Sequence, residues 1–495
     1  MAVEFLESKD GEQTAKNNGI FLHSPYSPQK EAQRFVDFLS CPFKPEYVVI
    51  IEPGLSYCAK ALKQKFSTSK IGVIRFTNDF DQNNNLFDFV FFANSRKPLE
   101  NQLLDFFNED KIFSVFFVSW KPSEKAYPNE NKTTWESIKS CLDYAKTLLV
   151  TRQYFEKKWL LNCVSFIKHS NHYCSIDKTD FPILIAASGP SLKESIPTIK
   201  HLQEKCIIIA LSSAISVLLE NKITPDFCMT TDGGYWAKEH IKKLLKNKIP
   251  LAITCEADCQ KHILENHAII PLCYSDGLSA SLCTLTDIPF MKAERNGTIS
   301  GTALELALEI TTNKIYFFGL DLCEQTGFQH TQPNELEKTS SLKDFRLNSK
   351  EKRIFPQSLK NASLLIYKNW FSQKTLPQNR VFRVIAGEHK KNALGNIRDI
   401  SPKEFEDVAN LLQKSSKKSE GSVLKEAAQQ KSRDFSKKLL DFIEKSSQQD
   451  FWKKQLFPLD FTALLHNPNN EELTEKIKKE NSRLIQKLQK ILKDE

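Results

Sequence analysis

A mainly parallel α/β sheet is predicted by three apolar runs and the way each one ends. Ile183 to Ala187 stops at Ser188-Gly189-Pro190-Ser191, Cys206 to Leu211 follows after a helix-length gap, and Phe227 to Thr231 ends on Asp232. Strand, tight glycine turn, helix, strand, helix, strand is how a Rossmann-like unit builds a nucleotide cleft at the carboxyl ends of its strands. At 495 residues the chain exceeds one ordinary core, so two or three domains are expected.

Residues 1–30 are polar, with Pro25 and Pro28, and read as an irregular lead-in to an α/β N-terminal domain over 1–130. Within it the pattern predicts strands at Tyr47–Ile51, Ile71–Phe76, Phe87–Phe92 and Phe113–Ser119, with helices at Tyr57–Phe66 and Leu99–Glu109. Pro53-Gly54 follows the first of these strands but lacks the several glycines of a dinucleotide loop, which favours a plain strand-to-helix turn. Over 131–175 the residues Trp135, Ile138, Leu142, Ala145, Leu149, Phe155, Trp159, Asn162 and Phe166 recur at helical spacing and predict a helical connector. The central domain is placed at 176–410, with further strands at Leu251–Thr254, Ile269–Tyr274, Lys314–Phe318 and Val381–Ile385. Ser415 to Gly421 breaks the pattern. An α-helical C-terminal domain, 411–495, follows, with amphipathic helices at Leu424–Lys445 and Glu472–Leu492 around a turn at His466–Asn470.

Composition narrows the function classes. Hydrophobic content of 40% and charged content of 26% are those of a soluble globular chain. The formal charge is +9, and residues 411–495 hold 18 Lys and Arg against 13 Asp and Glu. That excess fits a solvated helical tail or a docking surface for an acidic partner. Nucleic acid is not expected, since no zinc-finger spacing, aromatic RNA-binding signature or basic recognition helix is present. The amino terminus MAVEFLESKDGEQ has no signal-peptide pattern, and the longest apolar stretch, Ile207–Leu219, is too short to span a bilayer, so a reducing cytoplasm is expected. The twelve Cys form no Cys-x-x-Cys pair. The closest group, Cys255, Cys259 and His262, lacks a fourth ligand and reads as core thiols rather than zinc.

The chemistry concentrates in two segments. In the first, Gly189 permits close backbone approach, and Ser191-x-x-Glu194 has the spacing of a capping box, whose helix start would offer amides and positive dipole to an anion. Pro197 is tolerated only in a first turn, so a kink or a helix restarting near Ser195 is expected. In the second, Gly297-Thr298-Ile299-Ser300-Gly301-Thr302 opens an amphipathic helix, and the next strand ends in Gly319-Leu320-Asp321. A carboxylate there can grip ribose or sugar hydroxyls, or serve as a cap or ion-pair partner.

ASGPSLKE, TPDFCMTTD, GTISGTALELAL and IYFFGLDL, in that order, resemble the motility-accessory-factor family of bacterial flagellin glycosyltransferases. The order is also similar to that of bacterial CMP-sialate sialyltransferases. The resemblance implies transfer of a nonulosonic acid of the pseudaminic or legionaminic type from a CMP donor to Ser or Thr of flagellin, with no cofactor required and no metal. It implies a donor cradle at Ser188, Gly189, Pro190, Ser191 and Leu192. Thr298, Ser300 and Gly301 would meet phosphate or sugar, and Gly319 and Asp321 would lie beside the cytidine or ribose. Asp232 closes the third strand of the cleft. Ser212 falls where sialyltransferases carry a donor-contacting Asn.

The two sialyltransferase tyrosines are replaced by Cys323 and Gln329, and no His lies between His330 and His389. His330 is therefore the candidate base, against the alternative of a loop histidine, with Asp321 as its catalytic companion. Leaving-group stabilisation falls to helix-start amides and to Lys193 or Arg295. The central segment also resembles archaeal 6-hydroxymethylpterin pyrophosphokinases, which would imply ATP and Mg²⁺ on Asp232 and Asp321. A binding module without catalysis is the third reading.

Overall fold

The computed structural model describes residues 3–323, 327–354, 362–390, 392–414, 423–427 and 434–493. Two compact units emerge, one comprising 1–156 with 448–482, the other 157–447 with 483–495. The division falls inside the 42-residue helix Pro128–His169, which fulfils the helical periodicity read from Trp135 onward. Among the described residues, no helix is long and apolar enough to cross a membrane.

In the first unit, residues 3–30 are not an irregular lead-in. They form a three-stranded antiparallel sheet of β1 (Glu4–Glu7), β2 (Gln13–Asn17) and β3 (Ile20–Phe21), and Pro28 already opens the helix Pro28–Phe38. The alternation that normally betrays a strand is missing because β2 buries Thr14 and Asn17 beside Ala15. The turn signal was present in Asn18-Gly19, both with positive φ, the pair that a two-residue hairpin requires.

Behind it stands a parallel sheet of β4 (Tyr47–Ile51), β5 (Lys70–Arg75), β6 (Phe89–Phe92) and β7 (Val115–Ser119), ordered β6-β5-β4-β7. Val48 and Ile50 face a cluster with Leu62 and Trp120, while Val49 and Ile51 face Leu103, Phe107 and Ile138. Period-two alternation of wholly apolar residues is what a sheet covered on both faces demands.

The turn after β4 is filled by the protein itself. Arg75 and Glu52 are fully buried and paired at 3.1 Å. Arg75 also donates to Gly54 O at 2.9 Å and Ser56 Oγ at 2.8 Å, and Leu55 N donates to His23 Nε2 at 2.9 Å. Pro53-Gly54 is thus a plain turn, as its single glycine suggested.

The second unit carries a larger sheet. Its strands are β8 (His172–Ile176), β9 (Ile183–Ala186), β10 (Ile207–Leu211), β11 (Phe227–Thr230), β12 (Leu251–Thr254), β13 (Ala268–Tyr274), β14 (Met291–Ala293), β15 (Ile315–Phe318), β16 (Val381–Val384), β17 (Arg398–Ile400) and β18 (Leu424–Glu426). The order is β17-β16-β15-β9-β10-β11-β12-β13-β8-β18, with β14 beside β13, and only the β8–β18 pairing is antiparallel. The continuous aliphatic runs of β9 and β10 are buried throughout, as interior parallel strands must be. The helix Ile299–Ile310 lays Ala303, Leu304, Leu306, Ala307 and Ile310 against them.

Two local expectations change, and a third is not tested. The helix predicted over Leu424–Lys445 begins only at Phe435, because Leu424–Glu426 pairs with β8 as an edge strand too short to show a period. The helix Leu192–Leu202 runs through Pro197 without restarting near Ser195. The break at Ser415–Gly421 lies outside the described residues.

Candidate functional site

Chain order fixes where a ligand crevice belongs. From β9 the strands step one way through β10, β11, β12 and β13, whereas β15, β16 and β17 lie on the other side of β9. The order reverses between β9 and β15, and open parallel sheets bind ligands at that point, beyond the carboxyl ends. β9 and β15 are in register, with Ala186 opposite Phe318. Gly189 and Gly319, far apart in sequence, therefore leave the sheet side by side.

The two loops rest directly on each other. Gly189 N donates to Gly319 O at 2.8 Å. A Cβ on Gly189 would lie 2.5 Å from Gly319 O and 2.6 Å from Asp321 Oδ2, and Gly319 itself has φ +67°. Only glycine permits this approach. Asp321 is buried, and its carboxylate accepts from Ser191 N at 3.0 Å and from the Ser191 hydroxyl. The Ser191 side chain makes no cap bond to its own helix, so the expected capping box with Glu194 does not form. Ser191 already has helical backbone, φ −62° and ψ −18°, instead of the extended backbone of a cap, and its hydroxyl is turned across the crevice to donate to the carboxylate. Pro190 and Leu192 complete the loop, Leu192 buried and its Cβ only 3.0 Å from where a Gly319 Cβ would stand.

A second network hangs on Ser188. Its hydroxyl lies 2.7 Å from His330 Nδ1 and accepts from Ser213 Oγ at 2.7 Å. Thr331 N donates to Ser188 O at 2.7 Å, Thr331 Oγ1 donates to Gly189 O at 2.5 Å, and Asn334 Nδ2 donates to Ser213 O at 3.2 Å. The loop after β15 thus returns to clasp the loop after β9, and brings His330 with it. Burial holds the His330 pKa below its ordinary value. His240 lies edge-on, ring centroids 6.3 Å away, and burial, aided by the charge on His330, pulls its pKa down to about 4. Two neighbouring imidazoles are thereby kept neutral near pH 7.

The other residues singled out from sequence sit at the same end of the sheet. Ser212 is buried in the turn that follows β10, and its neighbour Ser213 supplies the hydroxyl to Ser188. Asp232, just beyond β11, is exposed and accepts Gly234 N at 2.8 Å. Because β14 runs parallel to β13, the helix that follows it starts at the carboxyl edge. Thr298 caps that helix, accepting Ser300 N at 3.3 Å. A Cβ on Gly301 would lie 2.6 Å from Asn296 Cγ, so this glycine admits the buried Asn296 side chain, which bonds Thr298 N and Thr302 Oγ1.

Arg295 is already committed. It meets Glu256 at 2.7 and 2.9 Å and Asp276 at 2.8 and 2.9 Å, and lies over the Tyr274 and Trp159 rings. With two carboxylates on one guanidinium, it fastens the approach to the helix start instead of offering charge to a leaving group. Lys193 is exposed. Cys323 Sγ points to His389 O at 3.6 Å, and Gln329 lines a cavity of about 170 Å³ with His330. Sequence reasoning missed Ser213, His240, Asn296 and Thr331. Ser213 and Thr331 adjoin residues it chose, but nothing in the sequence places His240 beside His330.

Residues 157–327 match the family model described as 6-hydroxymethylpterin diphosphokinase MptE-like. A protein of Treponema pallidum (strain Nichols), described as uncharacterized, is 28% identical over 319 residues, 63% of this chain and 69% of its own length. The solved MAf glycosyltransferase of Magnetospirillum magneticum AMB-1 superposes with TM-score 0.53 at 13% identity, covering 99% of this chain and 90% of that one. The chain therefore joins an MptE-like central segment to the fold of a MAf glycosyltransferase.

Proposed function

We propose that the protein is a glycosyltransferase that moves a nonulosonic acid, of the pseudaminic or legionaminic type, from its CMP donor to Ser or Thr of flagellin in the cytoplasm. One observation carries the reading: the Ser188–Ser191 and Gly319–Asp321 loops meet at the switch point of the sheet, with His330 docked on Ser188. The likeness in fold to a MAf glycosyltransferase supports it.

The chemistry asks little beyond placement. CMP leaves readily, and the sugar passes through a cation-like state at its anomeric carbon, so the protein aligns the acceptor hydroxyl, takes its proton and neutralises the departing phosphate. With Nδ1–H donated to Ser188 Oγ, His330 presents Nε2 as the base. In the opposite tautomer Ser188 donates to Nδ1 and Nε2 carries the proton, so the base requires the Nδ1–H form. The positive end of the helix Ile299–Ile310, not the Ser191 amide already given to Asp321, is the proposed place for the phosphate.

The second reading, an ATP-dependent diphosphate transferase, draws on the MptE-like match. Its metal would need Asp232 and Asp321. Asp321 is bonded to Ser191, and among the described residues neither Asp belongs to a group of three potential ligands. Calorimetry with CMP and ATP, each with and without Mg²⁺, separates the two. CMP binding indifferent to Mg²⁺ is expected, whereas ATP-selective, Mg²⁺-dependent binding overturns the glycosyltransferase reading. CMP binding without release of CMP from a CMP-nonulosonate would leave a binding module. Intact-mass analysis of flagellin from cells with and without the protein tests the acceptor.

A further inference from the structure

Four of the twelve cysteines converge in the second unit, although they lie far apart in the chain. Cys163 comes from the helix Pro128–His169, Cys255 follows β12, Cys273 belongs to β13 and Cys283 ends the helix Gly277–Cys283. The sulfurs of Cys163, Cys255 and Cys283 all lie within 4.8 Å of one another. Cys283 Sγ is 3.6 Å from Cys255 Sγ, and Cys273 Sγ is 4.0 Å from Cys255 Sγ. In a tetrahedral thiolate site with Zn–S of about 2.3 Å, neighbouring sulfurs stand about 3.8 Å apart. The two measured separations bracket that edge.

As thiols, Cys163 donates to Ser279 O at 3.9 Å and Cys273 to Tyr274 O at 3.1 Å, and metal binding would replace both bonds. Cys163, Cys255 and Cys283 are buried, while Cys273 is only partly so. Cys273 and Cys259 both stand outside the group of three mutually close sulfurs, but Cys273 alone of the two has its sulfur directed at a member of it, Cys255.

We propose that Cys163, Cys255, Cys273 and Cys283 bind a thiophilic divalent cation of the zinc class as a structural site. Binding converts four thiols to thiolates and releases four protons to solvent, with no change of oxidation state. The ion would join β12, β13 and two helices at the place where Glu256 grips Arg295, just ahead of the Thr298 helix start. It would thereby brace one wall of the crevice without touching the reacting groups. The site stands independently of the proposed transfer reaction, since metal binding is read without turnover.

The test is metal analysis of the full chain purified under reducing conditions from zinc-supplemented cells. One zinc per chain, retained through gel filtration, is expected. Cobalt substitution should give the near-ultraviolet thiolate-to-metal band and the visible bands of tetrahedral Co²⁺. Cys163→Ser and Cys283→Ser should reduce zinc well below one per chain, and Cys259→Ser should keep it. Absence of both zinc and a cobalt–thiolate band in the unaltered protein overturns the site, whether or not the variants fold. So does full zinc retention in both Cys163→Ser and Cys283→Ser, or a Cys255–Cys283 disulfide in peptide maps of the native protein.

Discussion

Ser191 gives both its amide, at 3.0 Å, and its hydroxyl to the Asp321 carboxylate, and so buckles the loop after β9 to the loop after β15. Removing one partner of a buried, charge-assisted bond costs roughly 1–3 kcal/mol. Ser191→Ala should therefore weaken CMP binding about tenfold or more, and Asp321→Ala, which strands both donors, should weaken it further. Gly189→Val should lose stability as well as binding, since its Cβ falls on Gly319 O. Titration calorimetry checks all three, and unchanged CMP affinity in the first two would place the donor elsewhere.

His330→Ala should reduce turnover by about 10²–10⁴-fold, the usual range for loss of a positioned base, with CMP affinity nearly unchanged. Because burial lowers the His330 pKa, the imidazole stays neutral to lower pH than a free histidine. The acid limb of the kcat profile should accordingly lie below pH of about 6.5. Ser188→Ala frees Nδ1 and should lower kcat more than it changes KM. A pH–rate profile with a CMP-sugar donor reads both.

Acid should destabilise the first unit through His23 and the second through His240 and His330. Folded pKa values are about 3 for His23 and about 4 for His240, against the ordinary value of 6.5. Below pH 6.5 the unfolded chain binds protons that the folded chain refuses, so stability falls with pH until the folded values are reached. For His240 the total loss is about 3 kcal/mol. His23→Gln keeps an acceptor for Leu55 N and should flatten the dependence in the first unit. Urea unfolding at pH 7.0 and at lower pH is the measurement.

Arg295→Met should cost about 3–5 kcal/mol, because Glu256 stays buried without its cation. Arg295→Lys should recover only part of it, since an ammonium cannot make both paired contacts and lie flat over the Tyr274 ring. A denaturation curve matching the unaltered protein would show that the pair contributes nothing.

Truncation at Ser415 removes more than a tail. Residues 448–482 belong to the first unit, where Trp452, Leu456 and Phe457 are wholly buried and Trp452 Nε1 donates to Asn481 Oδ1 at 2.7 Å. The shortened chain should expose the first unit to limited proteolysis while the unaltered protein resists it. Equal resistance would contradict that burial.

Much of this was legible because aliphatic runs bounded by turn residues have few alternatives. The run Tyr47–Ile51 matches its strand to the residue, and Gly189, Gly319 and Asp321 stand out in the sequence because they follow apolar runs. The failures share a cause. Ser191 had the spacing of a cap, but its hydroxyl went to a carboxylate 130 positions away. β18 and β2 owe their pairing to partners, not to any period of their own. The pairing of His240 with His330 and the grouping of Cys163, Cys255 and Cys283 exist only through tertiary proximity, which spacing along the chain does not encode.

Arg75, sealed behind β4 with Glu52, Gly54 and Ser56, occupies the place where the small sheet would otherwise receive a guest. On the proposed reading, a nucleotide should then bind the larger sheet and leave the small one unliganded. In calorimetric scans with rising ligand, one heat-absorption peak should migrate upward as mass action requires while its companion stays fixed.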